Sequence, residues 1–541
     1  MNKVLFRKEK YRKLFHWDRP FKASMLFCIF LSPAVWYTFK IDRMGSRVAE
    51  AGNHILSWDD WPVLILLYLF FIAVLPPVIR VFLSVDFTME KSGNRRLFLP
   101  AFLIMLFWQM PFLLALYPAP GMNDTLFMME NPLYAGVQFP WLYSLVYGYG
   151  SLAGKQIFGT REPVIFLLAV AQLMLYAYGL TKIVFRIKES VGKRAAAGLY
   201  IFFTFLPIIG NYGMAAVRDG LFSLSLTGWM LLMIKKEWEK RDYVYLTLLS
   251  LGMMLLRNNG VYIAVLLIFA SSFYRKQWKK GAVILIFCAL ASILPGQIIL
   301  THHNWKPLFQ ESMAIPLQQM GRVLVMEGSR SEETVNFMNH LLPEEKWKKD
   351  YSPATVDFVK WDDRFRRNEL NEEKGKFLLA WADTGLRNPR IYLEGWMTET
   401  YALWNLDPLE HGVQSRFGWA LSDENTRNMQ PSDNDMLALG DFPMPFKVKA
   451  FLGNYTYSGS RFLGSGICLW MTLFFCLLFY CDGKSRYIPA ALPLLANTMT
   501  LLASTPASAV FRYSFAYVLG LPLLLILFLV RNENGKSNCL N

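Results

Sequence analysis

Charged residues and recognisable catalytic motifs are both scarce in this chain. Only 18% of its 541 residues are charged, whereas a soluble globular protein has about 25%. No P-loop, GxGxxG, HExxH, GxSxG or paired CxxC motif occurs in the sequence. The missing nucleotide-binding motifs argue against ATP-driven chemistry, so the energy of any reaction must come from an activated substrate or from a gradient.

Cysteine is rare as well, and its placement gives no indication of a disulfide framework. None of the cysteines lies in the long hydrophilic stretch of the chain, and all lie in apolar runs, beside them or in the C-terminal tail. They are Cys28, Cys288, Cys468, Cys476, Cys481 and Cys539. We therefore expect buried, unreactive thiols, no cysteine-type metal site and no cofactor.

Apolar residues are abundant, at 54% of the chain. Runs such as Trp61–Ile79 come close to the roughly 20 apolar residues that cross a bilayer as a helix. The formal net charge of +15 could suggest a nucleic-acid partner, but the basic residues fall in short blocks between apolar runs. The positive-inside rule predicts that distribution for a multi-pass membrane protein without any nucleic acid.

The apolar runs predict an all-α protein with about twelve membrane-spanning helices. Seven Lys and Arg residues within 1–21 place the N-terminus in the cytoplasm. Nine spans lie within 22–300 and three within 462–531, at 22–39, 61–83, 97–117, 163–181, 196–212, 219–235, 243–256, 260–274, 281–300, 462–481, 487–505 and 514–531. The tail, 532–541, is then cytoplasmic, whereas the loop 118–139 and the hydrophilic insert 301–461 lie outside.

The apolar stretch 136–154 is predicted to lie along the outer membrane interface. If it crossed the membrane, the five basic residues of 181–194 would face outward, against the charge rule. Its many aromatic residues suit an interfacial helix.

The insert 301–461 is predicted to be a mainly helical extracytoplasmic domain. Within it, 314–326 has the pattern of an amphipathic helix lying at the membrane. The stretch 374–404 is predicted to form two helices separated at Asn388–Pro389.

Six polar stretches meet the outer membrane edge on this topology. They are Asp124, Glu130, Arg218–Asp219, Arg257–Asn258–Asn259, His302–His303 and Arg512–Tyr513. Ionisable groups near hydrocarbon are costly and tend to mark function, so we expect these stretches to line a shared cavity.

Each stretch also has a structural interpretation. Asp124 could form an Asx turn or a helix cap, and Glu130 could be a solvated loop charge. Arg257 could simply snorkel to the interface. The adjacent histidines lack the usual spacing of helical metal ligands, which favours interfacial side chains without a metal.

Several segments, in order along the chain, resemble an uncharacterised bacterial family, the DUF6020 group, which is placed near the GT-C glycosyltransferases. They are YPAPGMNDTLF, GVQFPWLYSLVYG, AVRDGLFSL, LLRNNGVYIAV, AIPLQQMGRVL, GLRNPRIYLEGW and FRYSFAYVLGLPL. The resemblance implies a bacterial plasma-membrane enzyme of GT-C-like fold. Such enzymes transfer a sugar from a polyprenyl-phosphate donor to an acceptor on the outer face, here a cell-envelope glycan or lipid.

The resemblance also implies roles for individual residues. Asp124 would be the general base, Arg218, Arg257 and Arg512 would bind the donor phosphate, and Asn258 and Asn259 would contact the sugar or the phosphate. From their places in the same polar stretches we add Glu130 as a candidate second acid and Asp219, His302, His303 and Tyr513 as candidate donor-binding residues. The family's usual closely spaced acidic pair is missing from the loop, so we expect no metal.

Other functions are compatible with the same sequence. A flippase or transporter of lipid-linked saccharides would share the basic cavity but would need no base. A surface-polymer ligase or polymerase would use two lipid-linked substrates, and a noncatalytic scaffold would need no pocket at all.

Overall fold

A computed structural model describes residues 17–85, 91–93, 96–235, 237–406, 417–418, 436–458, 463–507 and 510–530. Most of the basic N-terminal segment 1–21 and the whole tail 532–541 lie outside these residues. The described chain is almost entirely helical, which confirms the all-α prediction apart from one small sheet.

The described residues up to His302 form twelve α-helices. They are α1 Arg19–Met44, α2 Trp61–Leu83, α3 Phe98–Ala115, α4 Asn123–Glu130, α5 Trp141–Phe158, α6 Glu162–Ser190, α7 Lys193–Phe205, α8 Pro207–Met214, α9 Asp219–Met233, α10 Lys240–Leu256, α11 Asn259–Tyr274 and α12 Trp278–His302. Short 3₁₀ helices lie at Gly45–Ala49, Trp58–Asp60 and Tyr134–Val137.

The second half supplies the insert and the last apolar helices. They are α13 Phe309–Ser312, α14 Ala314–Val325, α15 Glu332–Leu341, α16 Glu344–Asp350, α17 Asp357–Lys360, α18 Arg367–Glu372, α19 Lys374–Arg387, α20 Pro389–Glu399, α21 Tyr401–Trp404, α22 Phe446–Ser458, α23 Ser465–Cys481, α24 Leu492–Ser504 and α25 Ala516–Leu529. Two further 3₁₀ helices, Ser485–Ala491 and Phe511–Ser514, precede α24 and α25.

Seven helical segments of the described chain are long and apolar enough to cross a membrane. They are Arg19–Ala49, Trp58–Leu83, Phe98–Ala115, Glu162–Ser190, Trp278–His302, Ser485–Ser504 and Phe511–Leu529. The bent pair α7 and α8 makes an eighth if it counts as one span, and α9, α11 and α23 are shorter apolar helices. The protein is therefore a multi-pass membrane protein, whereas a count of twelve spans stays a prediction.

The bend between α7 and α8 is 61° and lies at Leu206–Pro207. Proline has no backbone N–H and its ring clashes with the preceding turn, so a helix does not continue through it undisturbed. Leu206 has ψ 114°, the extended conformation that a residue before proline prefers. The short helix α8 therefore leaves the direction of α7 and delivers the chain to Arg218.

The loops that the sequence places on one side of the membrane do lie together. Asn258 donates to the Gln138 carbonyl at 2.8 Å, and Tyr401 Oη donates to the Thr38 carbonyl at 3.1 Å. Thr355 Oγ1 donates to the Pro506 carbonyl at 3.0 Å. We call this end of the bundle the insert end.

Basic turns lie together at the other end of the bundle, which we call the basic end. Arg275 donates to the Lys235 carbonyl at 2.7 Å, and Lys484 donates to the Phe528 carbonyl at 2.7 Å. Arg80 also pairs with Asp18 at 3.2 Å. The relative sides of these loops thus agree with the predicted topology, and the cytoplasmic assignment of the basic end remains a prediction.

The front of the insert has its own hydrophobic core. Its buried residues lie between Ala314 and Ala380 and include Leu317, Trp347 and Phe377. Helix α14 passes through this region and is buried on nearly all sides, so the prediction that 314–326 lies at the membrane surface is wrong. Helices α19 and α20 meet at Asn388–Pro389, as predicted.

A fully buried ion pair fixes the insert to the loop after α1. Arg322 Nη2 lies 2.9 Å from Glu394 Oε2, and both side chains have 0% exposure. The second guanidinium nitrogen, Nη1, donates to the Val48 carbonyl at 3.0 Å, and His54 also contacts the Glu394 carboxylate. Removing one partner of this buried ion pair would leave an uncompensated buried charge, which is strongly destabilising. The contacts of Arg322 and Glu394 with Val48 and His54 therefore fix the loop after α1 to the insert.

The small sheet ties the loop after α3 to the far end of the insert. Strand β1, Pro120–Gly121, pairs antiparallel with β3, Met436–Ala438, which pairs parallel with β2, Phe417–Gly418. Helix α22 then packs along α3 and α8. The far end of the insert therefore packs against the entry to the loop that carries Asp124.

The topology can be tested by cysteine labelling at Thr160 and Lys188, in a background without the six native cysteines. If 136–154 lies along the outer interface, an impermeant maleimide will label Thr160→Cys in intact cells. It will label Lys188→Cys only after permeabilisation. The reversed pattern, with Lys188→Cys labelled in intact cells and Thr160→Cys only after permeabilisation, would show that 136–154 crosses the membrane, and labelling of both positions from one side would contradict a span between them.

Candidate functional site

Asp124 lies at the start of α4, in a loop that is fastened to the segment before Arg218. Thr125 Oγ1 donates to the Ala216 carbonyl at 2.8 Å, and the Ala216 backbone N–H donates to the Pro120 carbonyl at 2.7 Å. Thr125 is fully buried. These bonds place the first turn of α4 directly beside the chain that enters α9.

Asp124 forms an ion pair with Arg512, which lies 388 positions further along the chain. Arg512 Nη1 lies 3.0 Å from Asp124 Oδ2, with 10% exposure for the arginine side chain and 28% for the aspartate. The same Nη1 contacts the Met122 sulfur at 2.8 Å. The aspartate is therefore accessible but charge-compensated.

Asp219 forms the second ion pair of the site, with Arg257. Arg257 Nη1 lies 2.5 Å from Asp219 Oδ1, and the exposures are 12% and 3%. The Arg257 guanidinium also lies over the rings of Tyr513 at 4.3 Å and Phe222 at 5.5 Å. Aromatic faces stabilise a cation in this position, so Arg257 is held on three sides.

Arg218 is the third guanidinium and has neither an ion pair nor a hydrogen bond to any described residue. It lies 4.5 Å above the Phe139 ring, and its Nη1 is buried without a partner. Buried donors are nearly always satisfied in native proteins, by protein, water or ligand. Two aspartates thus compensate two arginines, and one cation is left over.

The charges of this group act on one another, which shows that the pairs share one electrostatic environment. Burial acts to raise the pKa of Asp124, but the charges of Arg512, Arg218 and Arg257 outweigh it and hold that pKa below its ordinary 3.8. Burial lowers the pKa of Arg218 despite the opposing charges of Asp124 and Asp219. We call Asp124, Arg218, Asp219, Arg257 and Arg512 the arginine–aspartate cluster.

A buried glutamine positions the segment that ends at Arg218. Gln172, in the middle of α6, donates through Nε2 to the Ala215 carbonyl at 2.6 Å and to the Gly213 carbonyl at 3.3 Å. Its Oε1 accepts from the hydroxyls of Tyr143 at 2.9 Å and Tyr147 at 3.2 Å. Helix α5, which covers most of the predicted interfacial stretch 136–154, therefore helps to position the segment that ends at Arg218 through its hydrogen bonds to Gln172.

An amide network positions Tyr513 in the same way. Asn259 donates to Asn497 Oδ1 at 3.3 Å and to Thr500 Oγ1 at 3.0 Å. Asn497 in turn donates to the Tyr513 carbonyl at 2.9 Å. Asn259 thus positions Tyr513 through Asn497, and the guanidinium groups of Arg257 and Arg512 both lie over the Tyr513 ring.

The other predicted site residues do not join the cluster. Glu130 is exposed at the end of α4 and has no ion pair within the described chain. His302 and His303 are exposed at the end of α12, where His303 stacks on Trp305 at 4.4 Å. Asn258 holds the Gln138 carbonyl. Helical geometry explains the first case, because residues six apart point to different faces of a helix.

Sequence reasoning missed a carboxylate of the insert, Glu311. Burial raises the pKa of Glu311, the Lys360 ammonium opposes that effect, and the negative charges of Asp357 and Asp124 add to it. Glu311 Oε2 accepts from Lys360 Nζ at 3.0 Å, and Lys360 also pairs with Asp357 at 2.9 Å. No motif around Glu311 signals this position, which only the packing of α13 creates.

In the part of the chain that the structure describes, no three His, Cys, Asp or Glu residues gather closely enough to hold a metal ion. The predicted lack of a metal stays a prediction. The arginine–aspartate cluster is chemically suited to bind an anion, because guanidinium groups donate strong, charge-assisted hydrogen bonds to phosphate oxygens.

The protein-family model described as a family of unknown function, DUF6020, matches this chain over residues 127–539. The match includes all three arginines of the cluster and begins three residues after Asp124. Neither the comparison with curated proteins nor that with solved structures gave a match.

The ion pair of Asp124 predicts a pH-dependent contribution to stability. Because the folded-state pKa of Asp124 is lowered, its contribution is present above pH about 4 and is lost as the pH falls through the folded-state pKa. Wild type should therefore unfold at a higher temperature than Asp124→Asn at pH 7. The gap should close on acidification, as measured by thermal unfolding in detergent.

Glu130→Gln is the matched control for this experiment. Glu130 is exposed on the same helix without a described partner, so its removal should change the unfolding temperature little at any pH. A gap for Asp124→Asn that stayed constant with pH, or equalled that of the control, would contradict the ion pair.

Proposed function

The chain belongs to the DUF6020 family, and we propose that it is a membrane glycosyltransferase. The proposed donor is a sugar linked to a polyprenyl phosphate, and the proposed acceptor is an extracytoplasmic glycan or lipid of the bacterial cell envelope. In this proposal the fold is GT-C-like with twelve spans, both termini are cytoplasmic, and the insert end faces outward.

The observation that carries the proposal is the unpaired Arg218 beside two compensated arginines. A phosphate diester has one negative charge, which matches the one uncompensated cation of the cluster. The Nη1 of Arg218 and the Nε of Arg512 are buried without partners, and phosphate oxygens would satisfy such donors. The apolar helices around the cluster would accommodate the polyprenyl tail.

The chemistry would be one displacement at the anomeric carbon. The acceptor hydroxyl oxygen attacks that carbon, the bond from carbon to phosphate oxygen breaks, and polyprenyl phosphate leaves. Fixed guanidinium groups stabilise the negative charge that develops on the leaving phosphate in a poorly hydrated recess. Asp124, ionised at neutral pH, takes the proton of the acceptor hydroxyl, and inversion at the anomeric carbon follows.

The donor itself would strengthen the base. In the structure the positive charges of Arg512 and Arg218 stabilise the ionised form of Asp124 and so lower its proton affinity. An anionic phosphate bound to the same arginines would offset that charge and raise the pKa of Asp124. The acceptor would then be deprotonated only after the donor has bound.

Transport of lipid-linked saccharides is the second candidate, and the broken span α7–α8 favours it. Transporters often use discontinuous helices at their substrate sites, and α8 leads directly to Arg218. A transporter would need the guanidinium groups but not the carboxylate of Asp124.

Asp124→Asn should abolish sugar transfer while the protein remains folded and still binds the donor. The amide keeps the size of the side chain but cannot accept the proton. The measurement is glycan analysis of a deletion strain that expresses the variant, with Glu130→Gln as the control. Wild-type glycosylation by Asp124→Asn would remove the base role.

Arg218→Gln should weaken donor binding by at least about tenfold, because one charge-assisted phosphate contact is lost. Arg218 suits this test better than Arg257, whose removal would leave Asp219 buried and unpaired. Binding of the lipid-phosphate part of the donor can be measured on the purified chain with farnesyl phosphate, a short analogue of the leaving group, with Arg43→Gln as an exposed control at the same end. Equal affinities for the two variants would contradict phosphate binding by Arg218.

Lipid analysis after gene deletion separates the two candidate functions. A transferase predicts loss of one sugar from the surface glycan with the lipid-linked donor still exposed on the outer leaflet. Accumulation of the donor on the inner leaflet alone would favour the transporter.

A further inference from the structure

A cavity of about 360 Å³ lies between helices toward the basic end of the bundle, and its lining residues on α9 extend from Leu224 to Leu232. The other lining residues belong to α3, α6 and α10, together with Lys235 after α9. Its walls are largely apolar and include Phe98, Ile183, Leu224, Leu231 and Leu249. The proposed sugar transfer makes no use of this space.

Glycines form part of the walls and let the helices approach closely. A Cβ at Gly179 would lie 2.5 Å from Leu224, and one at Gly228 would lie 2.7 Å from Leu249. These distances are shorter than van der Waals contact, so larger residues at either position would displace the wall. The cavity is therefore a defined cleft between packed helices.

Four cations line the cavity, and three of them have carboxylate partners. Lys235 pairs with Asp242 at 2.7 Å. Arg186 pairs with Glu189 at 3.5 Å, and Arg241 pairs with Glu239 at 2.8 Å. The rim is thus positively charged but mostly compensated.

Lys182 is the fourth cation and has no ion pair with any carboxylate in the described chain. Its ammonium lies 4.9 Å from the Tyr178 ring and 5.3 Å from the Tyr245 ring, and the side chain is exposed. The two rings hold the ammonium at the mouth of the apolar cleft without neutralising it.

We propose that this cavity binds an anionic phospholipid, with Lys182 contacting the lipid phosphate and an acyl chain filling the apolar cleft. Lys182 directly follows the predicted span 163–181, and further basic residues follow it up to Arg194. On the predicted topology it would therefore meet the headgroup region, where basic pockets between membrane helices recognise anionic headgroups. The apolar walls favour a lipid over free phosphate, because free phosphate has nothing to place in the cleft.

This proposal is independent of the proposed transferase activity, since it concerns the other end of the bundle. The purified full chain would be tested for retention of phosphatidylglycerol and of phosphatidylcholine by native mass spectrometry from mixed micelles. Inorganic phosphate would be added in a parallel series. We expect one phosphatidylglycerol to be retained in preference to phosphatidylcholine, and we expect inorganic phosphate not to displace it.

Lys182→Gln should lower phosphatidylglycerol retention by about fivefold, as expected for one basic residue at a lipid surface. Lys182→Arg should restore it. Lys279→Gln is the matched control, because Lys279 is exposed at the same end but does not line the cavity. Unchanged thermal unfolding of Lys182→Gln shows that a loss is not due to misfolding.

Three results would overturn the proposal. They are equal retention of the two lipids, equal effects of Lys182→Gln and Lys279→Gln, and displacement of the lipid by inorganic phosphate. The last result would assign the site to free phosphate instead.

Discussion

The ion pair between Asp124 and Arg512 is the contact on which the site depends. The two residues are 388 positions apart, and their pairing requires the loop after α3 and the start of the last span to meet at one end of the bundle. Charged groups at a membrane edge are costly unless an opposite charge compensates them. In the cluster, Asp124 compensates Arg512 and Asp219 compensates Arg257, whereas Arg218 has no carboxylate partner among the described residues.

Hydrogen bonds from the surrounding elements hold the charged residues of the cluster in place. Gln172 holds the segment before Arg218, and Asn497 holds the Tyr513 backbone. The sheet of Pro120–Gly121 with Met436–Ala438 holds the entry to α4. Together these bonds satisfy backbone groups of an irregular region and give it the rigidity that preorganised electrostatics requires.

Hydrophobic pattern and charge placement were sufficient to predict much of this arrangement. Every predicted span has a helix at its position, and the loops assigned to one side lie together, because both features depend on local composition. The convergence of Asp124, Arg218, Arg257 and Arg512 also agrees with the topology-based expectation. A shared side of the membrane brings loop residues near each other even when their sequence neighbours say nothing about contacts.

Pairing and packing could not be predicted in the same way. Glu130 and the two histidines share the correct end with Asp124, but helix direction and aromatic stacking turn them away from it. Helix α14 has an amphipathic pattern, yet the insert folds around it and buries both faces. Glu311 and Gln172 have no local signal, because their importance arises only from tertiary contacts.

The decisive measurement is a structure of the protein with farnesyl phosphate bound. We expect the phosphate group within hydrogen-bond distance of Arg218, with Asp124 beside it and open to an acceptor. A phosphate bound elsewhere, or Asp124 turned away from Arg512 and Arg218, would contradict phosphate binding by the arginine–aspartate cluster.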